Sequence, residues 1–261
     1  MTALAVPRTR LRPVEPAHPA GVVAGLNYLA PTAERPVSYA FEPPPGVPWE
    51  SCAYELRPMP IADGRRAGTR PGIDREGFEL WDAPSAVTDF LDEGQIRSVY
   101  YAEAMELALQ VTGARRAYVF DHLVRRRERD RSALSFGRRD AGDGRPAVNG
   151  RIHNDYTEAS GRARLGRVLE DPAAAARVTR FAIVNIWRSI RGPVQDTPLA
   201  VCDARSVNAA DLVESEVRYP RRTGEIYHLL HSPRHRWWYF ARMDRHEALV
   251  FKQYDSQLGG V

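Results

Sequence analysis

The chain has 261 residues, is 43% hydrophobic and 27% charged, and carries a formal net charge of +4. That length suits one large core, or a core with an N-terminal elaboration. It contains no run of about 18 apolar residues of the kind that spans a membrane. Met1 to Ala20 mixes arginine with proline and lacks the apolar centre of a secretory signal. Two cysteines, Cys52 and Cys202, exclude a disulfide framework and a cysteine-rich zinc site, and fit a reducing cytoplasm.

Among 37 cationic side chains only Lys252 is a lysine. The arginines are interleaved with acids, so the composition gives no basic stripe with aromatic platforms for a nucleic acid. The densest basic run, residues 125–131, is itself broken by Glu128 and Asp130 and reads as a solvated face. A lone lysine in so arginine-rich a chain marks a position that wants a compact ammonium, or one retained by chance.

Residues 1–50 hold Pro43-Pro44-Pro45 and Pro48 and show little periodicity. They are expected as a proline-rich arm with one short strand around residues 37–41. Residues 51–261 form the expected main domain. Alternation over residues 77–81 predicts a strand, and helical apolar spacing from Ile96 to Leu109 predicts a helix capped by Ser85 or Asp89 and ended by Gly113. Short β-type runs follow at residues 117–120, 180–187, 199–202, 224–230, 236–240 and 248–251. Helices are expected near residues 159–169 and 173–178. Many short strands separated by turn residues predict a sandwich or barrel, mainly β with flanking helices, instead of a parallel βαβ sheet.

The sharpest chemical feature is His153-Asn154-Asp155. Residues two apart on a strand share a face, so an imidazole and a carboxylate would aim at one point, with Asn154 turned away. That is two-thirds of the facial triad that holds iron(II) with positions left open. The competing reading is a surface or core histidine. His228, His231 and His235 cluster later; His231 is the fallback third ligand, against the plainer reading that all three pack and hydrogen-bond around Trp237. There is no His-Glu-x-x-His, no Gly-x-Ser-x-Gly and no glycine-rich phosphate loop, which removes the helical zinc hydrolase, the serine-hydrolase elbow and a nucleotide site.

Residues 153–157 (His-Asn-Asp-Tyr-Thr), 185–194 (Asn-Ile-Trp-Arg-Ser-Ile-Arg-Gly-Pro-Val), 198–206, 231–240 and 251–256 resemble the AsaB-like hydroxylase/desaturase family. That family includes the CmcJ-type cephem methoxylase component and gibberellin desaturases; Phe120-Asp121-His122 also fits it. The resemblance covers residues 70–261. It implies a double-stranded β-helix (jelly roll), iron(II), 2-oxoglutarate as cosubstrate, dioxygen, and hydroxylation or desaturation of a small natural product. His153 and Asp155 would take the metal. Arg188 and Lys252 are candidates for a carboxylate of cosubstrate or substrate, by a planar fork or a point charge respectively. Tyr156 and Thr157 would line or orient the site. The family pattern continues into a Pro-His-Thr-Ala-Phe-like and an Arg-Glu-Ser-like segment, expected to supply a distal histidine and a cosubstrate arginine. The chain stops at Val261, so it is expected to lack the last strands of the jelly roll.

Two other readings follow. A catalytically incomplete jelly roll would bind a small carboxylate, or act as a partner subunit, without turnover. A cupin-like zinc hydrolase is poorer, because no general base is evident beside the motif. The two-component methoxylase leaves room for a partner subunit or a homodimer; no nucleic acid or membrane is expected.

Overall fold

The computed structural model describes residues 21–125 and 149–257. Met1 to Ala20, and the basic run beyond Arg125, lie outside the described residues. In chain order the strands are β1 (Gly21–Leu29), β2 (Val37–Tyr39), β3 (Tyr54–Asp63), β4 (Phe78–Asp82), β5 (His153–Asn154), β6 (Ala182–Trp187), β7 (Val201–Cys202), β8 (Leu212–Tyr219), β9 (Arg222–Leu229), β10 (Trp237–Tyr239) and β11 (Glu247–Asp255). The helices are α1 (Glu93–Gln95), running through a π-turn at Ile96–Tyr100 into α2 (Tyr101–Thr112), then α3 (Glu158–Leu169) and α4 (Pro172–Ala176). None of the described helices is long and apolar enough to cross a membrane.

Three sheets result, ordered β1-β3-β10-β7, β4-β11-β6 and β2-β8-β9-β5. This is the mainly β architecture with flanking helices that the strand pattern predicts. The central strand β11 shows why the layers stack. Ala248, Leu249 and Val250 are all fully buried, so both of its faces are covered. Ala248 and Val250 pack with Ile73, Leu107 and Val111, which seats α2 on one face. Leu249 packs with Phe78, Val201, Phe240 and Met243 on the other, the interior shared with the sheet of β10 and β7. A further cluster of Tyr28, Met59, Ile61, Leu229 and Trp237 joins the sheets of β3 and β9.

Within residues 21–50, β1 and β2 are built into the sheets. β1 pairs with β3 along its whole length, from Gly21 opposite Ala62 to Leu29 opposite Tyr54. Two expectations are corrected. Residues 117–120 form no strand but lie in an irregular segment with Tyr118 and Phe120 partly exposed. The long helix begins later than expected, because Asp92 caps it by accepting from the Gly94 and Gln95 N–H groups. Ser85 instead donates to Glu103, and Asp89 accepts from Leu91. Gly113 does end the helix, in the left-handed conformation at φ 66°.

Candidate metal centre

The His153 segment is held from both sides. Ile152 N–H donates to the Asn27 carbonyl at 3.1 Å, and the Asn27 amide donates to the Gly150 carbonyl at 3.0 Å. β5 pairs antiparallel with β9, placing His153 opposite His228 and Asn154 opposite Tyr227. The strand stops where Thr157 and Ser160 form a capping box that starts α3. The extended backbone between these anchors turns His153 and Asp155 the same way.

His153 Nδ1 lies 2.8 Å from the Arg151 carbonyl. A carbonyl only accepts, so Nδ1 carries the hydrogen and Nε2 is the ring atom that a metal would take. Nε2 in turn lies 3.3 Å from Asp155 Oδ1. The other carboxylate oxygen, Oδ2, accepts from Asn185 Nδ2 at 3.0 Å. Asp155 N–H donates to Gln253 Oε1 at 2.8 Å, and Asn154 Nδ2 donates to the Gln253 carbonyl at 2.9 Å. Gln253 sits where the β11–β6 register shifts between Lys252 and Tyr254. Such a bulge re-aims one side chain, and here it aims the amide at the Asp155 backbone.

Burial pushes the Asp155 carboxyl up, but the contacts of His153 and Asn185 and the positive charge of Arg125 outweigh it, and the net shift is downward. Burial pushes the Arg125 guanidinium down, with Asp155 and Tyr219 acting the other way. Asp155 is therefore an ionised carboxylate at neutral pH. Its side chain retains 42% of its accessible surface and that of His153 26%, so the pair opens towards solvent. Burial, with Arg151 and His153 close by, pushes His228 down to about 3, which keeps that ring neutral.

The pair fits a metal. Two donors each about 2.1 Å from one ion and at right angles stand about 3 Å apart, close to the observed 3.3 Å. The tautomer of His153 and the anchored outer oxygen of Asp155 both leave the inward atoms free. A mixed imidazole–carboxylate set of this kind suits iron(II). Among the described residues, no group of three His, Cys, Asp or Glu side chains converges to hold a metal.

His231, the fallback third ligand, does not join the pair. It is exposed and sets its ring edge-on to Tyr28, 5.1 Å between centroids. The packing reading holds for its neighbours. His235 bonds Tyr28 at 3.1 Å and Asp211 at 3.2 Å, and His228 bonds Ser215 at 2.8 Å.

Arg188 and Lys252 are not brought to the pair either. Arg188 Nε donates to the Tyr100 hydroxyl at 2.9 Å and its guanidinium lies 4.9 Å from that ring, inside the aromatic cluster around Phe90. Lys252 pairs with Val184 in the β11–β6 register, whereas Asn185 pairs with Phe251. Lys252 therefore projects from the face opposite the one that presents Asn185 to Asp155. Its ammonium is bound 3.0 Å from Asp74 and 3.0 Å from Asp255. The compact cation serves an internal ion pair, which also contains Arg180. Tyr156 lies at the rim, edge-on to Phe120 at 6.5 Å with the Arg164 guanidinium 5.6 Å from its ring, while Thr157 is spent on the helix cap. His122 bonds Tyr101 at 2.7 Å and Glu93 at 3.0 Å.

Asn185 and Gln253 were not singled out from the sequence. Asn185 had a signal, a lone amide within the apolar run Ala-Ile-Val-Asn-Ile-Trp. Gln253 had none, since its direction depends on the bulge.

A β-rich shell carrying a solvent-open imidazole–carboxylate pair is the arrangement of the jelly-roll class. A family described as "Oxidoreductase/YMDC permease-like domain" matches residues 26–261. The hydroxylase/desaturase efuI of Hormonema carpetanum is 30% identical over 225 residues, spanning 79% of this chain and 74% of that protein. The hydroxylase/desaturase asaB of Aspergillus flavus is 42% identical over 95 residues, 31% of this chain and 41% of the relative. The solved structure of the iron and alpha-ketoglutarate-dependent endoperoxidase NvfI superposes with a TM-score of 0.69 at 23% identity, covering 90% of this chain and 85% of that one, and so shares its fold. The chain belongs to this oxidoreductase family, with the AsaB-like hydroxylase/desaturases that its motifs resemble among its relatives.

Proposed function

We propose that this protein is a non-haem iron(II), 2-oxoglutarate-dependent oxygenase that hydroxylates or desaturates a small natural product. The observation that carries it is the 3.3 Å approach of His153 Nε2 to Asp155 Oδ1, with each residue's remaining polar atom already committed. His153 and Asp155 hold the metal; Asn185 fixes the carboxylate, and Gln253 fixes the backbone that carries it. Bound there, iron(II) supplies the activation of dioxygen that couples decarboxylation of 2-oxoglutarate to oxidation of a substrate C–H bond. Leu249 and Trp187, opposite one another in the register and on the same face as Asn185 and Phe251, give the interior an apolar wall that excludes water.

Arg188 and Lys252 have no part in cosubstrate binding in this proposal. The enzyme reading is favoured over a non-catalytic relic because the relatives are hydroxylase/desaturases. Two free thiols, Cys52 and Cys202, fit a cytoplasmic setting. A partner subunit or second copy remains compatible with the proposal and is not required by it.

The test is succinate formation from 2-oxoglutarate under air with iron(II) present. His153→Ala and Asp155→Ala should each abolish it while leaving the far-UV circular dichroism unchanged. Turnover that survives both substitutions would refute the assignment.

A further inference from the structure

His153 sits on a strand of two residues, too short for its own ladder to fix a side chain. What fixes it lies two residues earlier. Arg151 is buried, at 3% exposure, and works from both ends. Its carbonyl receives the His153 Nδ1 hydrogen at 2.8 Å. Its guanidinium Nη1 reaches Glu50 Oε1 at 3.0 Å, the Tyr54 hydroxyl at 3.0 Å and Ser38 Oγ at 3.3 Å, and the group lies 5.5 Å from the Tyr54 ring.

The Tyr54 hydroxyl continues to His228 Nε2 at 3.3 Å, and His228 Nδ1 to Ser215 Oγ at 2.8 Å. Ser38, Ser215 and His228 are fully buried. His228 is also the residue facing His153 across the β5–β9 pair. A polar chain thus runs from β2, β3, β8 and β9 into the peptide that orients His153. All three acceptors are reached from the one nitrogen Nη1, so the guanidinium end of Arg151 is tied to β2, β3 and Glu50 at a single point.

We propose that Arg151 and Tyr54 are positioning residues for the metal. The Arg151 side chain, clamped by Glu50, Tyr54 and Ser38, holds its own carbonyl where it locks the His153 ring with Nε2 turned to Asp155 Oδ1. The proposal rests on the reading of His153 and Asp155 as metal ligands. A purely structural buried ion pair would affect stability alone; a positioning network also affects the metal in protein that remains folded.

The experiment is a cobalt(II) titration of the full chain with 2-oxoglutarate present, read from the visible d–d bands, beside a thermal melt of each variant. Tyr54→Phe removes only a hydroxyl. Arg151→Lys keeps the charge but is shorter and does not reach the Nη1 position that meets Glu50, Tyr54 and Ser38 together. Both should weaken cobalt binding about tenfold and alter the band pattern. Leu107→Ala, in the cluster on the opposite face of β11, should lower the melting temperature at least as much and leave the titration on the wild-type curve. Tyr54→Phe and Arg151→Lys binding cobalt as the wild type does would overturn the proposal, and Tyr54→Phe decides it alone if Arg151→Lys does not fold. A wild-type titration that His153→Ala leaves unchanged would overturn the ligand reading, and the proposal with it.

Discussion

Asn185 donates to the outer oxygen of Asp155 across 3.0 Å, so a strand 30 residues further along the chain sets the angle of the carboxylate. The bond leaves Oδ1 to face His153. Asn185→Ala should weaken metal binding about tenfold, as loss of a partner to a ligating carboxylate commonly does. Asn185→Asp should do something different. A second carboxylate at that distance disfavours ionisation of both, so metal binding should move to higher pH than in the wild type. Cobalt titrations from pH 5.5 to 8 check both outcomes.

Lys252 gives a prediction of the opposite kind. Its ammonium lies between Asp74 and Asp255, on the face away from Asp155. Lys252→Met should leave the apparent requirement for 2-oxoglutarate unchanged. Stability should fall by about 2 kcal/mol, less than for a wholly broken buried pair because Arg180 still holds Asp255. Steady-state kinetics together with urea denaturation test this.

Asp255 predicts an acid limb in stability. Burial raises its carboxyl, but Arg180, the Gln257 N–H and Lys252 outweigh that and hold it down at about 2. A carboxyl depressed in the folded state contributes stability that is present above its unfolded value near 4 and is lost as the pH falls towards 2. The size is on the order of 2 kcal/mol. Denaturation curves from pH 5 to pH 2 should show this loss in the wild type and a shallower slope in Asp255→Asn. Equal slopes would remove Asp255 as its source.

The convergence of His153 and Asp155 was legible because the i, i+2 rule needs only an extended backbone. Strands such as β6, β10 and β11 were visible because their apolar residues are nearly continuous, as expected for strands buried on both faces. β1 and β3 were not. β1 carries Gly21 and Gly25, and β3 carries Pro58 and Pro60, residues that lower strand propensity. The prolines are tolerated because β10 joins β3 only from Ile61 onward, leaving that stretch with one neighbour. β8 was hidden by Glu214, Glu216 and Arg218, whose charges read as a loop, while Ser215 is the residue that goes inside. The internal partners of Arg188 and Lys252 were hidden for a shared reason. A sequence shows that a cation is unusual, and not which internal carboxylate or aromatic ring it already serves.

The central claim is that His153 and Asp155 form a metal site able to take 2-oxoglutarate. Anaerobic addition of iron(II) and 2-oxoglutarate, followed by visible absorption, tests it most directly. The account predicts the charge-transfer band of the chelated cosubstrate in the wild type and its loss in His153→Ala and in Asp155→Ala. A band of equal intensity in all three proteins would contradict it.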